Sequence, residues 1–479
     1  MTPEEWTYLA VLLLCIPIGF LFKRGGHEVK QYGGAAVGLL LTLLLCHVHT
    51  WHSLVTILGT WVILCLYPRS CHYLTLGWTF SYLLFFRTVT FFGLPAPTPF
   101  SNAVQLLLTL KMVGLANEVQ ELSQAKKQDV ASFSKSPAVG LIPSVPGLGQ
   151  ILCYGYCYVG LLTGPFYRYR TYLDWLQQLD SWAIPSWRPL VVRARLAPVF
   201  GLLFLAVSQL FPLAYVQSEA FAGRALPFRL FYMVPIFFAF RMRFYVAWLC
   251  AECTCIAAGF GAYPTAARAR PGGGPTVLCP RAEEGAPGAV PVEYDYETIK
   301  NIDPYGTDFC VRVRDGMRYW NMTVQWWLAQ YIYKSAPFRS YVMRSAWTML
   351  ISAYWHGLHP GYYLSFLTIP LCLAAEGAME AGLRRRWGAG PGAGAERSWG
   401  AWVHWFLKMR AYDYMCMGFV LLELGHTLRY WRAVYFCVHA GALALLLLGR
   451  ALAWAGPPAS KEHPSREGPP RPAQGPGLE

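Results

Sequence analysis

Apolar runs recur along almost the whole chain, and no other feature constrains its fold as strongly. A straight transmembrane helix needs about 20 apolar residues, and several of these runs are shorter. Shorter runs can tilt, re-enter the membrane or continue into polar residues that face protein. The chain is therefore predicted to be an all-α polytopic membrane protein with about 10–12 transmembrane or re-entrant helices. The runs occupy residues 6–22, 33–46, 54–67, 74–86, 102–115, 150–163, 196–211, 228–240, 244–260, 345–355, 362–381, 414–427 and 433–454.

The composition agrees with a single membrane-embedded domain over residues 1–454. Hydrophobic residues make up 55% of the chain and charged residues only 14%, whereas soluble domains carry about 25% charged residues. The first run follows Glu4 and Glu5 and precedes Lys23 and Arg24. This order indicates a membrane helix and not a cleaved signal peptide.

Three segments interrupt or follow the apolar runs. Residues 117–146 contain lysine, serine and proline, and residues 263–318 contain a triple glycine and an acidic patch. Both are predicted to be non-membrane loops, the second with a turn or short helix. The segment 455–479 is rich in proline and charge without periodicity, which predicts a disordered polar tail.

The net charge of +14 has two interpretations. Basic residues that flank membrane helices anchor them at the lipid headgroups. A share of them can also attract an anionic substrate. Nucleic acid is not predicted as a partner, because no basic helix stands apart from the apolar runs. No metal is predicted either, since Cys250, Cys253 and Cys255 lack a second pair at zinc-site spacing.

His356 is the first candidate for chemistry, because it ends the apolar run 345–355. Ionisable groups at membrane depth are costly and are candidates for function. A histidine can take a proton from a hydroxyl near neutral pH. The alternative is an interfacial histidine bonded to a backbone carbonyl.

Asn321 is the second candidate. Asn321, Met322 and Thr323 form a glycosylation sequon, but the aromatic residues around it favour a buried segment. A buried amide needs hydrogen-bond partners, and it can orient a histidine or donate to an oxyanion.

Four charged residues, which lie in or beside the runs, are weaker candidates for substrate binding: Lys111, Arg168, Arg170 and Glu252. Lysine and arginine suit phosphate groups. The alternatives are arginines whose charged ends reach the interface, and internal ion pairs or hydrogen bonds for Lys111 and Glu252. The sequence contains no nucleophile elbow, no P-loop and no zinc-protease motif.

The ordered set of motifs resembles the membrane-bound O-acyltransferase family. It comprises Leu-Leu-Leu-Thr-Leu-Lys at 106–111, Leu-Leu-Thr-Gly-Pro-Phe at 161–166, Trp-Asn at 320–321, Ser-Ala-Tyr-Trp-His-Gly at 352–357 and Pro-Gly-Tyr-Tyr at 360–363. The last of these is similar to the lysophospholipid branch of that family. The His-Gly step alone is weak evidence, whereas the whole set in this order is specific.

The resemblance implies helices around an intramembrane reaction chamber, with His356 and Asn321 as the catalytic pair. It also implies transfer of a polyunsaturated acyl chain, arachidonoyl favoured, from acyl-CoA to the sn-2 hydroxyl of a lysophospholipid with an inositol headgroup. Acyl-CoA is then a substrate, no cofactor is expected, and the location is the endoplasmic reticulum membrane. The alternatives are another acceptor within the family, or a membrane transporter, although the repeated broken helices of transporters are not seen.

Overall fold

The computed structural model describes residues 2–128, 140–178, 181–277, 292–387 and 399–455. The predicted disordered tail lies outside the described residues except for Ala455, which ends the last helix. The fold is all-α, as predicted, and the strands within the described residues are two residues long. The helices are α1 Pro3–Lys23, α2 Gly34–Cys46, α3 Thr50–Leu66, α4 Cys71–Thr88, α5 Pro99–Gln128, α6 Leu148–Gly155, α7 Tyr169–Gln177, α8 Trp187–Ala194, α9 Ala197–Leu210, α10 Glu219–Ala222, α11 Leu226–Ala257, α12 Pro304–Phe309, α13 Val313–Tyr319, α14 Met322–Trp327, α15 Tyr341–His356, α16 Pro360–Trp387, α17 Trp399–Leu421, α18 Leu424–Ala433 and α19 Cys437–Ala455.

Six stretches of the described residues are long and apolar enough to cross a membrane. The predicted 10–12 helices included shorter and re-entrant ones. Helix α15, with 16 residues, is too short to be counted among the six, so the higher number stays a prediction. The six are Pro3–Lys23, Val29–Leu66, Trp187–Gln217, Leu226–Ala257, Pro360–Arg386 and Cys437–Ala455.

Helix α11 joins two runs, 228–240 and 244–260, that the sequence predicted as separate. Arg241 divides the runs but does not break the helix. Its side chain is buried, lies 2.9 Å from a carboxylate oxygen of Asp308 and packs over the ring of Phe237. A buried charge persists in a helix when such a partner compensates it.

The run 150–163 is helical only up to Gly155, where α6 ends. Residues 156–168 are non-helical and almost entirely buried. Irregular backbone at membrane depth is tolerated where protein covers it. Gly160 has a φ of 72°, and a side chain at Gly164 would lie 2.0 Å from the Gly160 Cα atom. Glycine is required at both positions of this turn.

The predicted loop at 117–146 is wrong in its first part, because α5 continues to Gln128. The carboxylate of Glu118 is buried and accepts the backbone N–H groups of Tyr169, at 2.8 Å, and Arg170, at 3.0 Å. These bonds hold this part of α5 against α7. The lysine, serine and proline residues made the whole segment look solvated.

The predicted loop at 263–318 is folded over its described residues. Strand β1, Tyr263–Pro264, pairs antiparallel with β2, Tyr294–Asp295. Helices α12 and α13 follow and lead directly to Trp320 and Asn321.

The predicted run 414–427 is not one continuous helix, since it spans the end of α17 and the start of α18.

Candidate active site

His356 is the last residue of α15 and is half-buried. Its Nδ1 atom lies 2.7 Å from the backbone carbonyl oxygen of Ser352, one helical turn earlier. A carbonyl oxygen can only accept, so Nδ1 carries the hydrogen and Nε2 has a free lone pair. Within the described residues no polar group pairs with Nε2. The carbonyl contact that the sequence offered as an alternative to catalysis therefore leaves the other nitrogen available as a base.

Hydrogen bonds of three side chains, Arg87 of α4 and Tyr354 and Trp355 of α15 itself, hold the end of α15. The Arg87 guanidinium donates to the carbonyl oxygens of Tyr354 and Trp355. The Trp355 indole donates to the carbonyl oxygen of Leu106 at 3.1 Å, and the Tyr354 hydroxyl donates to that of Phe80 at 2.8 Å. The last carbonyls of a helix lack partners within it. These bonds therefore connect the histidine to α4 and α5.

Aromatic rings surround the His356 imidazole. The ring centroids of Phe366, Tyr362 and Phe419 lie 4.9, 6.0 and 6.1 Å from it. Tyr362 comes from the Pro-Gly-Tyr-Tyr segment, so that motif forms part of the wall around the base. An apolar wall limits water near the reacting atoms.

Asn321 lies between α13 and α14 with an unusual backbone. Its φ and ψ are 47° and 52°, in the left-handed region, where asparagine is tolerated better than most residues. Its side chain is half-buried and makes no hydrogen bond within the described part of the chain. Thr323 of the sequon is fully buried, as the aromatic surroundings predicted.

His356 belongs to an aromatic cluster that reaches Trp320, the residue before Asn321, and within the described residues His356 and Asn321 are not hydrogen-bonded to each other. Phe419 contacts both His356 and Phe240, with centroids 6.1 and 6.3 Å apart, and Phe240 stacks with Trp320 at 6.1 Å. Trp320 precedes Asn321. A substrate bound between His356 and Asn321 would contact both side chains.

Lys111 and Glu252 are buried with internal partners. The Lys111 ammonium donates to the Tyr167 hydroxyl at 2.9 Å. Glu252 accepts from the backbone N–H groups of Asn301 and Ile302, at 2.7 and 3.0 Å. These are the internal contacts that the sequence allowed as an alternative, and a substrate contact for either residue stays a prediction.

Arg168 and Arg170 lie at the start of α7 and also have protein partners. The Arg168 Nε atom lies 3.3 Å from a carboxylate oxygen of Glu118. The Arg170 Nε atom lies 2.9 Å from Asp174, within one helical turn. Their contact with a substrate stays a prediction as well.

An apolar cavity of about 430 Å³ opens beside the turn that follows His356. Its wall is formed mainly by residues of α16, and Trp431 and His439 also line it. Neither His356 nor Asn321 lines it. It is therefore not the predicted reaction chamber.

Sequence reasoning missed the residues that support the candidate pair. Arg87 lies directly after the apolar run 74–86, and this position is the only sequence feature that indicates a role for it. Asn301 contacts the segment after Asn321, and nothing in its sequence neighbourhood distinguishes it from an ordinary loop residue.

Comparison with known proteins identifies the family. The model of the membrane-bound O-acyltransferase family matches residues 38–419. The membrane-bound acylglycerophosphatidylinositol O-acyltransferase of Homo sapiens is 68% identical over 458 residues, covering 95% of this chain and 96% of that protein. The proteins of the same description from Mus musculus and Danio rerio are 67% and 56% identical, covering 97% and 94% of both chains. The chain belongs to the membrane-bound O-acyltransferase family.

Proposed function

We propose that this protein transfers an acyl chain from acyl-CoA to the free sn-2 hydroxyl of lysophosphatidylinositol. The observation that carries the proposal is the Nε2 atom of His356, in an aromatic cluster that reaches Trp320 beside Asn321; neither this nitrogen nor the Asn321 amide has a hydrogen-bond partner among the described residues. The relatives are named acylglycerophosphatidylinositol O-acyltransferases, which supports the inositol headgroup. Membership of an acyltransferase family argues against the transporter alternative.

His356 acts as a general base in this mechanism. Its Nε2 atom takes the proton of the acceptor hydroxyl while the oxygen attacks the thioester carbonyl carbon. The bond to Ser352 keeps the ring in the required tautomer and stabilises the positive charge that develops. The tetrahedral intermediate then releases the CoA thiolate, which receives the proton from His356.

Asn321 supplies the second function. Its amide N–H₂ donates to the oxyanion of the tetrahedral intermediate, where the negative charge develops. A thioester is already activated, so no covalent acyl-enzyme is needed. No cofactor takes part, because acyl-CoA brings the activated group. The preferred donor carries a polyunsaturated chain such as arachidonoyl, and the site of action is the endoplasmic reticulum membrane.

A panel of acceptors tests the substrate assignment. Purified protein in detergent receives arachidonoyl-CoA with lysophospholipids that carry inositol, choline, ethanolamine or serine headgroups, and release of free CoA thiol is measured. We expect the inositol acceptor to give the highest kcat/KM. A tenfold preference corresponds to about 1.4 kcal/mol of differential transition-state binding. Equal rates for all headgroups would remove the inositol assignment, and no thiol release with any acceptor would remove the enzyme assignment.

Arg87 is expected to support both stability and rate. Arg87→Met removes both bonds to the end of α15, and hydrogen bonds from a charged donor contribute about 1.5–3 kcal/mol each. We expect a lower melting temperature and a lower kcat, with Arg87→Lys between Met and wild type because lysine can reach one carbonyl. Arg69→Met, in the exposed turn before α4, is the matched control. Wild-type kcat in a folded Arg87→Met protein would show that His356 is held without this residue.

A further inference from the structure

We propose that Asn301 and Thr323 form a positioning pair, which caps α14 in place of Asn321 and thereby leaves the Asn321 amide free for the substrate. The inference rests on the proposed catalytic role of Asn321. Neither residue needs to touch the substrate. Their function is to fix the backbone on both sides of Asn321, the residue that contacts the substrate.

The first N–H groups of α14 are satisfied by Asn301 and not by Asn321. Asparagine before a helix normally accepts the N–H of the second or third helical residue with its own side chain. Here the Asn301 carbonyl oxygen accepts from Met322 N–H at 2.8 Å, and Asn301 Oδ1 accepts from Thr323 N–H at 3.2 Å. Asn321 instead takes the left-handed conformation, and its side chain is not used as a cap.

The Thr323 hydroxyl connects this cap to the Gly-Pro-Phe segment. It accepts from the Phe166 backbone N–H at 2.9 Å and donates to Asn301 Oδ1 at 2.6 Å. A backbone N–H can only donate, so the hydroxyl hydrogen must point to Asn301. This also fixes the orientation of the Asn301 amide, whose oxygen must face Thr323. Thr323 and Asn301 are both fully buried, so water does not compete for these bonds.

Asn301 is itself held by α11. Its backbone N–H donates to Glu252 at 2.7 Å, and the other Glu252 oxygen lies 3.4 Å from Nε of Arg193. A rotation of the Asn321 backbone would have to break several buried hydrogen bonds of the neighbouring residues, and each of these bonds is costly to leave unmade. The pair therefore fixes the backbone from which the catalytic amide extends, and a fixed starting point is part of the preorganisation that stabilisation of a developing charge requires.

Thr323→Val and Thr323→Ser test the proposal as a matched pair. Valine replaces the hydroxyl by a methyl group of similar size, whereas serine keeps the hydroxyl. We expect kcat to fall about 10–100-fold in Thr323→Val, because a displacement of about 1 Å in a catalytic group can cost about 10² in rate. The KM for acyl-CoA should change little, and Thr323→Ser should recover most of kcat. Both are measured as CoA thiol release by purified full-length protein.

A double-mutant cycle separates positioning from general stability. In an Asn321→Gly background the amide is gone, so Thr323→Val should cause no further loss of kcat. An equal loss in both backgrounds would overturn the proposal, as would wild-type kcat in folded Thr323→Val. If Asn321→Gly itself kept full activity, the proposed function of Asn321 would fail first, which is a different result.

Two further measurements keep the test decisive. Thr323→Ala leaves room for a water on the Phe166 N–H and replaces Thr323→Val if the latter does not fold. Its loss of kcat should again disappear in the Asn321→Gly background.

Thr323→Val also removes the glycosylation sequon, so wild-type protein is treated with a glycosidase to test whether Asn321 carries a glycan. Unchanged mobility on a gel is expected, and a shift would overturn the assignment of Asn321 as a free amide.

Discussion

His356→Ala is expected to lower kcat by about 10²–10⁴-fold, the range that a positioned general base contributes. In the proposed mechanism the Nε2 atom accepts the hydroxyl proton, and alanine has no substitute for it. The KM for either substrate should change much less than kcat. The measurement is CoA thiol release by purified protein, together with its melting temperature, because the imidazole also packs against Phe366.

His359→Ala is the control for this experiment. His359 lies three residues further along the chain and is exposed. It has an imidazole of the same chemistry, but not the carbonyl contact that fixes the tautomer of His356. Activity close to wild type is expected. Comparable losses in the two variants would mean that the whole turn, and not the His356 base, limits the rate.

Asn321→Gly is expected to lower kcat by about 10²–10³-fold, the cost of one lost oxyanion donor. Glycine is chosen because it adopts the left-handed region without strain, whereas alanine there costs about 1–2 kcal/mol. The change therefore removes the amide and leaves the backbone conformation accessible. Single-turnover measurement of acyl transfer separates the chemical step from product release.

Asn321→Asp distinguishes the two roles of the amide. Aspartate keeps an oxygen acceptor and tolerates the left-handed region but has lost the N–H₂ donor. If the amide donates to the oxyanion, this variant should be as slow as Asn321→Gly; retained activity would instead favour a role in orienting a partner. Arg268→Gly, at an exposed left-handed position with φ 47°, controls for the added backbone freedom and should have wild-type kcat.

The fold class and the candidate pair could be predicted from the sequence because both are local signals. Apolar runs predict membrane helices through the free energy of transferring side chains, which sums over neighbours in the chain. His356 and Asn321 could be identified because each lies in a short motif that resembles the family at characteristic separations. Local summation also explains the errors. It divided α11 at Arg241 and ended α5 before Glu118, since the partners of both charges come from distant segments.

The tertiary structure alone decided how the pair is supported. The Nδ1–H tautomer of His356 follows from a helix that places the Ser352 carbonyl one turn away. The bonds of Arg87 to Tyr354 and Trp355 join residues more than 260 positions apart. The Asn301 cap that frees the Asn321 amide also comes from a separate segment. Hydrogen bonds are directional and short, so their partners are determined by the packing of helices and not by hydropathy along the chain.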